Sequence, residues 1–423
     1  RLNADTYLAL RFAFSGGLVH GNRFVSGKIV RMIDENGNVR GRHRDKRSYY
    51  PSELRKKIRG FPEGPWEEYY LYRGEIGCTW EELDELREDN CELITVLLGP
   101  VEIKKGETLP YLQESKCLLG ADIGFKVKVS DNGRVLKTEG YTVLTMTELD
   151  WEILRRQYDM PDNKILRVFL SRRGAIPEYL VKLIDWRFRD KSMLKDRANA
   201  MEEGPAKEDM EVNVTKSKGR LNGIFGMAAT DVVRTEYELD PETWEWSHQL
   251  ISKEMVEEKL DAYYKNRNSF MRYQIGVYTT AWARYDLMQM YWLIGPENFL
   301  YADTDSIFYQ SSPEIEERIE ADNRKCYEES IACGAFIEYD GKIVTYDSFD
   351  EETYAKKPER IKRFVFLHAK AYAYERDDGS MKITVAGVAK SDGKKTTREK
   401  ELGALENFKA GFVFRKCGST AAV

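Results

Sequence analysis

Sulfur and imidazole are sparse in this chain. Six cysteines, at 78, 91, 117, 326, 333 and 417, never stand closer than seven residues apart, and four histidines, at 20, 43, 248 and 368, are scattered. That spacing suggests neither CxxC metal chemistry, nor a zinc-ligand set, nor a disulfide framework. A reducing, cytoplasmic compartment fits, and any catalytic metal is expected on oxygen. Long apolar runs are missing too: none approaches the roughly 18 to 20 residues of a membrane span. The opening "RLNADTYLAL" is neither a signal peptide nor a start at Met, so we expect a soluble piece of a longer protein. Repeats and low-complexity tracts are also absent. What is present, 423 residues with 42% hydrophobic and 32% charged content, suffices for two or three globular units.

Positive charge is in deficit overall. The net charge of -5 argues against a nucleic-acid partner, yet residues 61 to 100 hold eleven acids against two bases, and the remainder carries +4. Basic clusters then stand out: "RHRDKR" at 42 to 47, "SRR" at 171 to 173, "WRFRDK" at 186 to 191, "KSKGR" at 216 to 220 and "KKPERIKR" at 356 to 363. A solvated face explains any single cluster equally well. Several beside aromatics favour a polyanion groove.

Short strand and helix signals alternate along the chain. Asn36-Gly37 and Asn132-Gly133 mark hairpin turns. Helices are expected at "PSELRKKIRG", at "TWEELDELREDN" with Thr79 and Glu82 as a capping box, and at "TELDWEILRRQYD". Residues 175 to 232 read as a basic helical hairpin broken at Gly204-Pro205. An apolar helix covers "GVYTTAWARYDLMQMYWLI". One strand, "RFVFLHAKAYAYE", is expected to pair with "KITVAGVAK", and a last helix falls at "ENFKAGF" before a loose tail, "GSTAAV". Without strict βαβ alternation the class is α+β.

The stretch "YADTDSIFYQ" sets Asp303 and Asp305 one residue apart. In a regular strand they share a face, although a turn at Thr304 would bend that arrangement. Two close carboxylates repel unless a cation compensates, and Mg²⁺ is such a cation. A polar Asp-Thr-Asp turn that only closes a hairpin is the plainer alternative. Asp45 in "RDKRSYYPSEL" offers a third carboxylate, and two ions bridged by such groups serve in-line phosphoryl displacement. On "KSKGRLNGIF", Lys218, Asn222 and Phe225 share one helix face. Gly223 and Gly226 cost that helix about 1 kcal/mol each against Ala, which invites a ligand nearby.

Three motifs, in order, carry a resemblance to family B DNA polymerases: "DKRSYYPS" resembles D-x-x-S-L-Y-P-S, "KGRLNGIFG" resembles K-x-x-x-N-S-x-Y-G, and "YADTDS" resembles the carboxylate motif. "FSGG", "TAWAR", "KAY" at 370 to 372 and "ENFKAGF" are similar to features of the protein-primed branch of phages, viruses and linear plasmids. The resemblance implies a right-hand polymerase with two insertions: palm 1–111 and 271–395, an insertion at 112–172, fingers 173–232, a second insertion at 233–270, and thumb 396–423. It implies two Mg²⁺ ions, with Mn²⁺ as a substitute, on Asp45 and Asp305 with Asp303 assisting. Ser48, Tyr49, Tyr50, Lys218, Asn222 and Phe225 would bind the nucleotide, Tyr50 as steric gate. Gly16, Gly17, Thr280, Arg284, Lys370 and Tyr372 would contact DNA. The implied partners are template-primer DNA, dNTPs and a terminal-protein primer, with no membrane, for a chain acting as a monomer. Phe225 and Phe14 replace tyrosines of the family's patterns, Gly223 replaces a serine, and no D-x-E exonuclease motif stands upstream of the polymerase motifs. A DxD glycosyltransferase would explain "DTD" but not Asp45 and Lys218. A reverse transcriptase would lack "KGRLNGIFG", and a binding-only polymerase remnant would not need the intact carboxylates.

Overall fold

A computed structural model of the chain describes residues 1–56, 59–69, 78–117, 124–233, 237–244, 246–248, 251–266, 269, 272–346, 348–390, 396–415, 417 and 421–422. The expected boundaries at 270 and 395 lie outside these residues, as does most of the tail; Ala421–Ala422 pairs with Val413–Phe414.

The site rests on a nine-stranded sheet. Its main order is Val19–Gly21, Phe299–Asp303, Ser306–Gln310, Gly41–Lys46, Ile361–His368, Ala371–Arg376 and Met381–Val385. Phe349–Glu351 also pairs with Gly41–Lys46, and every pairing in the sheet is antiparallel. Segments hundreds of residues apart thus lie side by side, as an α+β fold allows. Helix Tyr273–Ile294 packs beside this sheet. Its Val277, Tyr278, Ala281, Ala283 and Leu287 are wholly buried, so the apolar run in the sequence is core rather than membrane. No described helix is long and apolar enough to cross a membrane.

Residues 90–98, 142–147 and 163–174 build a second sheet. Beside it, helix Glu148–Gln157 starts in a capping box of Thr147 and Asp150. Helix Trp80–Leu86 carries the expected box of Thr79 and Glu82. The helical hairpin runs Glu178–Ala200 and Pro205–Ala228, with Pro205 at the first helical position, where its missing N–H costs nothing. Within 233–270, the less regular region, lie a small hairpin, Tyr237–Leu239 with Trp246–His248, and helix Lys253–Lys265.

Two expectations need correction. "RFVFLHAKAYAYE" is two strands, because Lys370 takes φ +60° and folds Ile361–His368 onto Ala371–Arg376. "ENFKAGF" is no helix: a single 3₁₀ turn, Leu405–Asn407, is followed by irregular chain, and the helix there is the earlier Arg398–Leu402.

Candidate active site

Asp303 and Asp305 do not share one strand. Phe299–Asp303 turns at Thr304 and Asp305 into Ser306–Gln310, with Thr304 at φ +67°, a region that favours glycine. The turn is held on three sides: the Thr304 amide donates to the Leu18 carbonyl at 2.9 Å, the Asp305 amide to that of Asp303 at 2.8 Å, and the Lys46 amide to that of Asp305 at 2.7 Å. Gly17 packs against it so closely that an added Cβ would stand 2.5 Å from Thr304 Cγ2. Glycine is required there for space.

The neighbouring strand sets Asp45 opposite Ser306, and on its other edge Asp350 pairs with Asp45. Burial, then the charges of Asp305 and Glu352, push the Asp45 carboxyl up to about 8 against the pull of Lys218. Burial likewise raises Asp305, again with Lys218 opposing. Both carboxylates therefore feel one another's neighbourhood and the same ammonium. Asp303 differs: it accepts from Lys370 Nζ in an ion pair.

Across a cleft of about 800 Å³ stand the helical hairpin's side chains. Its lining brings together Asp45, Ser48, Tyr49, Tyr50, Lys218, Asn222 and Asp305. Phe225, one turn beyond Asn222, stacks on Tyr50 with ring centroids 4.2 Å apart, so the expected face of Lys218, Asn222 and Phe225 does point to this place. An added Cβ at Gly223 or Gly226 would meet nothing, so packing does not explain those glycines. Ser48 precedes helix Tyr49–Arg55 in a left-handed conformation, φ 54°, and accepts a hydrogen bond from Lys191 Nζ.

Lys191 was hidden inside the "WRFRDK" cluster without a role of its own. Burial, then Lys195 and Lys218, pull its ammonium down to about 7. Its helical position opposite Lys218 was the usable signal. Asp350 and Glu352, also in the cleft, lay in the unassigned run "SFDEET". A charged box beneath was missed as well: Lys46 pairs with Glu53 at 3.0 Å and with Asp286, which Arg59 also binds. It ties the Asp45 strand to helix Tyr49–Arg55 and to helix Tyr273–Ile294.

Four expected contacts are turned inward. Tyr49 is buried and donates its hydroxyl hydrogen bond to the Ala283 carbonyl. Thr280 is buried and bonds the Val277 carbonyl at 2.9 Å. Arg284, 3% exposed, pairs with Asp150 at 2.6 Å and donates to the Ser15 and Gly16 carbonyls. Tyr372 lies in an aromatic cluster with Tyr301, Phe308 and Phe364. Side chains satisfied in this way position the site from behind. Of the residues expected to touch DNA, Gly16 and Lys370 are exposed and Gly17 is partly so.

No family model and no curated protein matches the sequence. Solved structures do. The whole chain aligns with Phi29 DNA polymerase complexed with primer-template DNA at 17% identity and TM-score 0.58, covering 62% of that chain. The same polymerase with primer-template DNA and incoming nucleotide substrates gives 17%, 0.56 and 62%, and its complex with single-stranded DNA gives 17%, 0.57 and 60%. The likeness is one of fold: over its full length this chain folds like the Phi29 DNA polymerase structures, and it spans about three fifths of theirs.

Proposed function

We propose that the chain is a template-directed DNA polymerase that adds dNTPs to a primer 3′-hydroxyl by two-metal-ion phosphoryl transfer, in replication of a viral or plasmid genome. A protein hydroxyl would serve as primer at initiation. The observation that carries this reading is the pair of half-buried carboxylates, Asp45 at its strand and Asp305 in the turn next to it, with Lys218 facing both across the cleft. The proposed palm holds the carboxylates, the fingers (173–232) hold Lys218, and the thumb is 396–423. The insertions at 112–172 and 233–270 would engage the protein primer and the DNA.

Among the described residues no three His, Cys, Asp or Glu side chains converge on a metal position. The donor set is a pair, which suits Mg²⁺ or Mn²⁺ bound by one or two carboxylates and completed by substrate phosphates. Asp45 and Asp305 would hold both ions, whose chemistry is to favour the nucleophilic 3′-oxygen and neutralise charge on the transferred phosphoryl group. Asp303, held by Lys370, would keep the turn in place and set Lys370 beside the primer end. Lys218 and Lys191 would bind the triphosphate, with Ser48 fixing Lys191. Tyr50, stacked on Phe225, would close the floor under the sugar and reject a 2′-hydroxyl by clash, and Asn222 would border the nascent base pair.

Primer extension by the purified chain and by Asp305→Ala tests this reading. The wild type should extend a primed template with Mg²⁺, and the variant should bind the DNA without extending it. A wild type that binds primer-template and adds nothing would sink the proposal.

A further inference from the structure

Behind the Gly16–Gly17 loop the first insertion closes a second cavity, of about 50 Å³, whose lining includes Ser15, Tyr111, Lys116, Arg134, Asp150 and Arg284. Its charges do not balance. Arg284 is matched by Asp150. Arg134 is 8% exposed and makes one hydrogen bond, from Nη1 to the Tyr111 carbonyl, with no carboxylate partner among the described residues. Among the described residues Lys116 donates only to the carbonyls of Phe12, at 2.9 Å, and Phe14. Three cations thus meet one carboxylate, Arg134 and Arg284 buried and Lys116 half-buried, where an uncompensated charge is costly. Burial pulls Lys116 down to about 8, with Arg284 adding to the effect, and pulls Arg134 down to about 10.

The cavity has room for about three to five waters, at roughly 10–15 Å³ each, which is the size of one tetrahedral oxyanion and too small for a nucleoside. It shares Phe12, Lys116, Leu144 and Thr145 with an adjoining groove of about 660 Å³ that also carries Phe14 and Tyr273. Guanidinium and ammonium donors together suit phosphate oxygens. We propose that this cavity binds a phosphate group whose organic part lies in the groove along Phe12, Phe14 and Tyr273, supplied either by a single nucleic-acid strand or by a free nucleotide. The inference stands on the cavity and does not require the polymerase reading. Its occupant would bear on Arg284, which holds the Ser15 and Gly16 carbonyls next to the Gly17–Thr304 contact.

The test is melting of the wild type and of Arg134→Met in phosphate-free buffer at constant ionic strength, with added inorganic phosphate, thymidine monophosphate or an octathymidylate in separate arms. The wild type should gain melting temperature saturably with inorganic phosphate, and the tighter of the other two ligands identifies the source. Arg134→Met, freed of an unpaired buried cation, should melt at or above the wild type without phosphate and bind phosphate at least tenfold more weakly. Lys116→Met gives the same readout should Arg134→Met fail to fold. A wild type that responds to none of the three ligands, or variants that keep the wild-type response, overturns the proposal. Primer extension is scored separately, so a failure of the polymerase reading is seen apart from a failure of this one.

Discussion

Lys218 reaches both Asp45 and Asp305 electrostatically from the opposite wall of the cleft, and its removal should be felt mainly by the substrate. A hydrogen bond to a charged group contributes about 1.5–3 kcal/mol, so Lys218→Ala should raise KM for dNTP some ten- to hundredfold in steady-state incorporation, with folding unchanged. Tyr50→Ala removes the ring stacked on Phe225. It should raise ribonucleotide relative to deoxyribonucleotide use about tenfold or more, the scale at which pockets discriminate small groups, measured as a ratio of kcat/KM values. At this scale the sequence was informative where chemistry, not packing, selects the residue. Asp45, Asp305, Lys218 and Asn222 meet as their motifs imply. Tyr49, from the Asp45 motif, and Thr280, Arg284 and Tyr372, from "TAWAR" and "KAY", face inward, because a motif records which residue is needed and not whether it acts on the ligand or on a neighbour.

Gly17 and the Thr304 turn form one mechanical unit. Gly17→Ala forces a methyl group onto Thr304, at a cost of about 1–3 kcal/mol for overpacking, and displaces the turn that carries Asp305. Calorimetry should show the loss of stability and primer extension a larger loss of rate; Thr304→Gly in the same chain should restore both, since it removes the clash and tolerates φ +67°. In the second sheet, burial pushes Glu92 up to about 8 from 4.5, with Glu148 adding to the effect and Arg87 opposing it. The folded state then favours the protonated acid, so this group's contribution to stability is complete below pH 4.5 and is lost as pH rises to about 8. Glu92→Gln should flatten the fall in melting temperature between pH 5 and 8. Elements with their own punctuation were legible: the capping box at Thr79, the Gly204-Pro205 break and the Asn132-Gly133 turn. The hairpin at Lys370 was not, since a lysine in the left-handed region carries no turn signature and is held there by tertiary contacts, including its bond to Asp303.

For the whole molecule, net charge does not describe the cleft: the acids of residues 61 to 100 are concentrated in sequence, while Arg47, Lys191, Lys195, Lys218 and Lys342 line the cleft beside its carboxylates, Arg47 paired with Asp350 and Lys342 with Asp196. Primer-template affinity should therefore fall steeply with salt, by roughly 10³-fold between 50 and 200 mM if six phosphates are neutralised, as anisotropy titrations would read. The α+β class could be inferred from the interleaved pattern. The pairing of 299–310 with 41–46 and 19–21 could not, since antiparallel partners this distant leave no local trace; only the shared chemistry of Asp45 and Asp305 hinted that they meet. The most direct measurement is single-nucleotide incorporation on four primed templates that differ only in the templating base, with Mg²⁺ and each dNTP in turn. The account predicts addition of the complementary nucleotide in every case and none after Asp45→Ala or Asp305→Ala. Addition indifferent to the template, or addition that survives loss of either carboxylate, would contradict it.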